Sequence, residues 1–171
     1  MPALGLFHTA IRTADLAGTI AFYTRVLGLE EVPRPATLKF PGAWLAVPGG
    51  DAIIHVYAGE AARDPEGRIA ADNEAGVVDH LAMRARGFTH YLRVLDAHGI
   101  AWRAQNRAGE PVWQLFVHDP SGLKLELSFD QAQEPDLPVA IPESRRYRAA
   151  ERWFDPAPYA ALTQLPADQV A

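Results

Sequence analysis

Four side chains in this sequence offer the most chemistry: the imidazoles of His8, His55 and His80, and the carboxylate of Glu126. Neutral imidazoles together with a carboxylate are the borderline donors that Zn(II), Ni(II), Co(II), Fe(II) and Mn(II) accept. A divalent ion on such a set keeps positions open for the oxygens of a chelating substrate and acts on them as a Lewis acid. The chain has no cysteine. Thiolate ligands and disulfides are therefore excluded, and any metal must rest on His, Asp or Glu.

The spacing predicts that these residues look the same way, because side chains alternate faces along a strand. In a strand over 4–12, Leu6, His8, Ala10 and Arg12 share a face; in one over 77–84, Val78, His80 and Ala82 do. The run 123–129 sets Leu123, Leu125, Leu127 and Phe129 on an apolar face and Lys124, Glu126 and Ser128 on the other. Ile53, His55 and Tyr57 line the same side from a strand over 52–57. One buried face and one face carrying polar groups imply a curved sheet around a cavity.

The elements that must position these residues come in two rounds. Asp15 reads as a helix N-cap, Ile20, Tyr23 and Leu27 recur at helical spacing, and Gly28 ends the helix. Strands over 37–40, 44–47 and 52–57 follow, punctuated by Pro41-Gly42 and Gly49-Gly50. The order then restarts with the strand over 77–84. A helix with Phe88, Tyr91, Leu92 and Leu95 on one face ends at Gly99, and strands over 101–105, 112–118 and 123–129 follow. Asp119-Pro120-Ser121-Gly122 makes the last turn. A shift of 72 residues lays His8 on His80, and a shift of 71 lays Gly28 on Gly99 and His55 on Glu126. The expected fold is α+β: two tandem βαβββ modules, 4–58 and 77–130, forming curved mixed sheets around a shared metal cavity.

Between the modules lies a polar linker, 59–76, whose length suits packing within one chain or across a dimer; a homodimer is the expected assembly. In the C-terminal extension, 131–171, Pro135, Pro138 and Pro142 argue against regular structure over 131–142. Residues 143–154 are expected to form a helix with Tyr147, Ala150 and Phe154 on one face, packed as an appendage or dimer strap. Of the other histidines, His98 suits the dipole at the end of the second helix, His90 reads as solvated, and His118 is a candidate neighbour of the ligands.

With 171 residues, 49% of them apolar, the chain has the size and composition of a globular domain. A net charge of −5 argues against nucleic acid, since Arg145, Arg146 and Arg148 are diluted by Glu143 and Glu151. No run approaches the ~18 apolar residues of a membrane span, and Met1-Pro2-Ala3-Leu4 lacks the charged start of a signal peptide. The expected setting is the cytoplasm.

The opening Phe7-His8-Thr9-Ala10-Ile11-Arg12-Thr13-Ala14-Asp15-Leu16, with Phe22-Tyr23-Thr24-Arg25-Val26-Leu27-Gly28 after it, is similar to bacterial glyoxalase I (lactoylglutathione lyase). The closing Phe116-Val117-His118-Asp119-Pro120-Ser121-Gly122-Leu123-Lys124-Leu125-Glu126-Leu127 resembles the last-strand signature of the wider vicinal oxygen chelate superfamily. That superfamily includes glyoxalase I, extradiol dioxygenases, fosfomycin-resistance enzymes and methylmalonyl-CoA epimerase. The resemblance spans residues 4–129 and implies a divalent metal held by His8, His80 and Glu126, with His55 as fourth ligand or close neighbour. His55 stands where glyoxalase I has a glutamate that is both ligand and proton shuttle, so Glu126 would shuttle alone. Arg12 falls where the family has an arginine that binds the glutathione carboxylate.

The resemblance thus implies first a metal-dependent isomerase or lyase of glyoxalase type, with Glu126 and His55 at the chemistry. Its substrate would be a small α-hydroxycarbonyl or hemithioacetal, with glutathione-linked molecules among the candidates. The alternative is an Fe(II) extradiol dioxygenase using His8, His80 and Glu126. That group has a tyrosine where Phe116 stands and a histidine near Ala108, Gly109 and Glu110, and this chain has neither. A metal-free drug-binding protein is the third reading, against which the retained ligand set weighs.

Overall fold

Asp15 starts the first helix as its position predicts, Oδ1 accepting the Gly18 amide at 2.9 Å. In the computed structural model, which describes residues 2–69, 78–107, 109–138, 140–149 and 151–164, this helix, α1 (Leu16–Ala21), runs into a π-helical turn over Phe22–Val26. Gly28 stops it at φ +73°, a left-handed conformation that glycine enters without steric cost. The second helix, α2 (Phe88–Ala97), ends the same way at Gly99, φ +66°. Its start differs. Gly87 has no side chain to cap with, and the Glu134 carboxylate reaches back to accept the amides of Gly87 at 2.9 Å and Phe88 at 2.7 Å.

Each helix belongs to a four-stranded mixed sheet. The first holds β1 (Thr9–Arg12), β2 (Glu30–Val32), β3 (Gly42–Ala46) and β4 (Ala52–Tyr57) in the order β1-β4-β3-β2. The second holds β5 (Leu81–Ala85), β6 (Trp102–Asn106), β7 (Val112–His118) and β8 (Lys124–Asp130) in the order β5-β8-β7-β6. In both, the first and last strands of the module pair in parallel and the other pairs are antiparallel. The repeat seen in the sequence is kept down to register: Ala10 lies opposite His55 on one sheet, and Ala82 opposite Glu126 on the other. This is the α+β fold of two βαβββ modules.

The apolar faces close against the helices. Ile11, Ile54 and Val56 pack with Phe22 and Val26, while Leu125, Leu127 and Phe129 pack with Phe88 and Leu95. Tyr23 Oη donates to the buried Asp119 at 3.2 Å and Tyr91 Oη to the Leu27 carbonyl at 3.1 Å, which ties the modules together. No described helix is long and apolar enough to cross a membrane.

Several local expectations are corrected. The first strand is Thr9–Arg12 rather than 4–12, because residues before Thr9 have no strand partner among the described residues. Leu4, Leu6 and Phe7 stand 100%, 81% and 73% exposed. The second strand is Glu30–Val32, not 37–40, since the residues that meet β3 in register are 30–32. The fifth begins at Leu81; Val77, with 70–76 of the expected linker, lies outside the described residues. Residues 143–154 form no helix apart from a 3-10 turn over Glu143–Arg145; Ala150 lies outside the described residues. This stretch is drawn out because Tyr147 donates its amide to Ala104 on β6, while Trp153 and Phe154 cover His118. Beyond it a 3-10 segment (Ala157–Gln164) lies on α1, with Arg25 Nη1 donating to the Leu162 carbonyl at 2.7 Å. The described part of the extension packs on the modules, with Ile141, Tyr159 and Leu162 in the core.

Candidate functional site

The faces turned away from the helices carry the expected chemistry in two pairs. On the first, His55 of β4 is 92% buried, sandwiched between Trp44, centroids 4.2 Å apart and 5° from parallel, and His8, 3.9 Å and 18°. Trp44 can reach it because β3 sets Trp44 directly opposite His55. Burial, and next the proximity of His8, lower the pKa of His55, which keeps the ring neutral and its lone pair free for a cation. His8 Nδ1 is buried without a hydrogen-bond partner among the described residues.

On the second, His80 lies just before β5 and places Nε2 3.1 Å from Glu126 Oε2. Glu126 is buried and held from the other side: its Oε1 accepts from Gln114 Nε2 and from Ser128 Oγ, each at 2.6 Å. Gln114 is itself oriented by Gln105, whose Nε2 donates to its Oε1 at 2.7 Å. His80 Nδ1 sits 2.7 Å from Asp79 Oδ1, an atom that also pairs with Lys124 Nζ at 2.9 Å. These hydrogen bonds, from His80 first and then Lys124, hold the Asp79 carboxyl below its ordinary pKa.

An imidazole nitrogen beside a carboxylate oxygen is the kind of donor pair a divalent ion accepts. With Nδ1–H given to Asp79, an Nε2 lone pair would face a carboxylate oxygen. A carboxylate on the far ring nitrogen is the usual support of a ligating histidine.

The expected meeting of His8, His80 and Glu126 on one ion does not form within a single chain. Among the described residues no group of three or more His, Asp or Glu is placed to hold a metal. The reason is strand pairing: β1 brings His8 to β4, and β5 brings His80 to β8, while β1 and β5 do not pair. Arg12 is exposed on β1, opposite Tyr57.

The family model of the Glyoxalase/Bleomycin resistance protein/Dioxygenase superfamily matches residues 5–127. The chain belongs to that superfamily. Glyoxylase I 4 of Arabidopsis thaliana is 30% identical over 125 residues, 71% of this chain and 68% of that one. Among solved structures, a glyoxalase/dioxygenase from Nostoc punctiforme superposes with a TM-score of 0.58 at 23% identity, covering 74% of this chain and 91% of that one. Lactoylglutathione lyase from Agrobacterium tumefaciens does so with a TM-score of 0.53 at 18% identity, covering 77% and 98%. At these identities the two structures show the shared fold. All four expected ligands and Arg12 fall inside the superfamily match, and the extension falls outside it.

Several residues around the pairs went unnoticed in the sequence. Asp79 had a signal, a carboxylate adjacent to His80. Gln114 had one in parity, two residues before Phe116 on the same face of β7. Trp44 could be found only from its register opposite His55, and Tyr147 only from the course of the extension. Arg84 repeats Arg12 at the 72-residue shift, is exposed, and faces Ser128 across β5 and β8. His118 is buried under Trp153 and Phe154. His90 is exposed, and His98 sits at the C-cap of α2.

Proposed function

We propose that the protein is a cytoplasmic, metal-dependent isomerase or lyase of glyoxalase type acting on a small α-hydroxycarbonyl or hemithioacetal substrate. It works as a homodimer in which His8 and His55 of one copy meet His80 and Glu126 of the other around one divalent ion: Ni, Zn, Co, Fe or Mn. The observation that carries this reading is Glu126: a buried carboxylate on the open face, with one oxygen fixed by Gln114 and Ser128 and the other turned to His80. Two further findings support the dimer. The ligands of one chain come in two pairs, and the apolar residues beside His8 (Leu4, Leu6 and Phe7) lie exposed among the described residues.

The divalent ion, when bound, supplies Lewis acidity toward two neighbouring oxygens of the substrate. Glu126 Oε2 takes the proton from one of the adjoining carbons and returns it to the other, so the transfer begins and ends with the same carboxylate. Gln114 and Ser128 keep that carboxylate aimed during both transfers. His55, kept neutral by burial, is a ligand here and moves no proton. Arg12 takes an anionic group at the far end of the substrate.

The deciding assay is anaerobic. With Ni(II), Co(II) or Zn(II), the protein should turn over the hemithioacetal of methylglyoxal and glutathione, followed by absorbance, with no need for oxygen. Stoichiometric oxygen uptake with a catechol panel in an oxygen electrode, supported only by Fe(II) or Mn(II), would replace this reading with ring cleavage.

A further inference from the structure

Trp44 and Phe116 hold the same place in the two modules, one opposite His55 and the other opposite Glu126. Trp44 lays its face on the His55 ring. A carboxylate gives Phe116 no such partner, and its face is covered instead by Tyr147 of the C-terminal extension, centroids 3.7 Å apart and 13° from parallel. Phe116 and His80 meet edge to face, centroids 5.9 Å apart at 87°. Tyr147 therefore stands on the open face of the second sheet, one ring away from the His80–Glu126 pair, although the superfamily match ends at residue 127.

The placement is fixed from several sides. Tyr147 donates its amide to the Ala104 carbonyl at 2.8 Å, beside a β-bridge from Arg146 to Ala104. Arg146 and Arg148, its two chain neighbours, both grip Glu143, at 2.9 and 2.8 Å. The phenol oxygen accepts from Lys124 Nζ at 3.2 Å. That ammonium also pairs with Asp79 Oδ1, which meets His80 Nδ1. Because the oxygen is already accepting, the phenol's own proton has no acceptor among the described residues and is free to go to a ligand.

We infer that Tyr147 is a substrate-binding residue of this site, supplied by the extension: its half-buried ring is an aromatic wall stacked on Phe116, one ring away from His80 and Glu126, and its O–H donates to an oxygen of the bound molecule. The class it selects is an O,O-chelating molecule whose chelating end is flat, an enolised or aryl-bearing α-hydroxycarbonyl. The inference rests on the metal-dependent reading of the site given above. A ring wall rewards a flat π surface, and the phenol proton rewards an acceptor within its reach.

The test is calorimetric titration of the full-length, Ni(II)-loaded protein with two O,O-chelators: tropolone, which is planar and aromatic, and acetohydroxamate, which is smaller and has no ring. Tyr147→Phe keeps the stack on Phe116 and removes only the O–H. It should weaken both chelators about fivefold to tenfold while leaving the melting temperature and the Ni(II) affinity unchanged. Tyr147→Ala should weaken tropolone by a further factor of about five to ten and acetohydroxamate no further. If that variant melts early, Tyr147→Phe decides alone. Unchanged chelator affinity in Tyr147→Phe, or a loss that follows Ni(II) affinity, overturns the inference and leaves the metal reading standing. Failure of the wild-type protein to bind either chelator in a Ni(II)-dependent way overturns the metal reading, and this inference with it.

Discussion

His55 and Glu126 occupy one position twice: each sits on the last strand of its module, opposite an alanine of the first strand, Ala10 in one case and Ala82 in the other. The duplicated framework thus presents an imidazole on one open face and a carboxylate on its counterpart. Everything proposed for the chemistry follows from that difference, because only the carboxylate can both ligate and carry a proton.

Glu126→Gln should keep the fold and lose the function. The amide has the same shape but no charge for a cation, so metal affinity should drop at least about 100-fold and turnover should vanish. Circular dichroism and the melting temperature check the fold, with a Tm within about 5 °C of wild type expected. Full activity in metal-free Glu126→Gln protein would refute the metal argument altogether.

The two-chain site makes its own prediction. His55→Ala and Glu126→Gln are each inactive, yet a heterodimer of the two has one site built from two intact halves. Equal mixtures, unfolded together and refolded, should recover about a quarter of wild-type activity. No recovery above the sum of the separate variants would return the site to a single chain.

His55→Glu separates the reaction classes. In an isomerase or lyase the new carboxylate supplies a second proton carrier beside the ion, and the rate should hold or rise. In a dioxygenase, where His55 would act as acid and base, the rate should fall at least about tenfold. The measurement is kcat on whichever substrate the anaerobic assay identifies, with metal content determined for each preparation.

His118 and Asp119 pull stability in opposite directions as pH changes. Burial lowers His118 from 6.5 to about 4 and raises Asp119 from 3.8 to about 6. As pH falls from about 6.5 to 4, the unfolded histidine takes its proton first and the fold loses stability. As pH rises from about 4 to 6, the unfolded carboxyl gives up its proton first, and again the fold loses stability. In the wild type these contributions largely cancel between pH 4 and 6. Asp119→Asn should leave the histidine arm, so that stability rises by about 2 kcal/mol from pH 4 to 6, and His118→Phe should give a fall of similar size. Urea unfolding at pH 4, 5 and 6 reads both slopes, and flat profiles in both variants would contradict them.

The framework was legible because it rests on local rules. Asp15 caps a helix by reaching three residues ahead, Gly28 and Gly99 end helices in conformations costly to other residues, and alternation placed Leu125, Leu127 and Phe129 inward with Glu126 outward. The misses share a different cause. Glu30-Glu31-Val32 has no strand-like alternation, and it is a strand only because β3 offers a register to it. Tyr147, Ala150 and Phe154 fit a helical stripe, but Phe116 and His118 draw Tyr147 and Phe154 onto separate parts of the second sheet. The candidate ligands stand out by type and repeat, whereas their grouping into two pairs depends on which strands meet, and no spacing along the chain encodes that.

The pile of rings formed by Trp44, His55 and His8 has an optical consequence. An indole lying parallel to an imidazole at 4.2 Å is within quenching range of any ion that imidazole holds. Ni(II) and Co(II), with unfilled d shells, would extinguish Trp44 emission, while Zn(II), whose shell is full, would leave it bright. An ion held by His55 would thus announce itself as light: a fall in tryptophan emission would mark Ni(II) or Co(II) and an unchanged emission Zn(II), before any substrate is known.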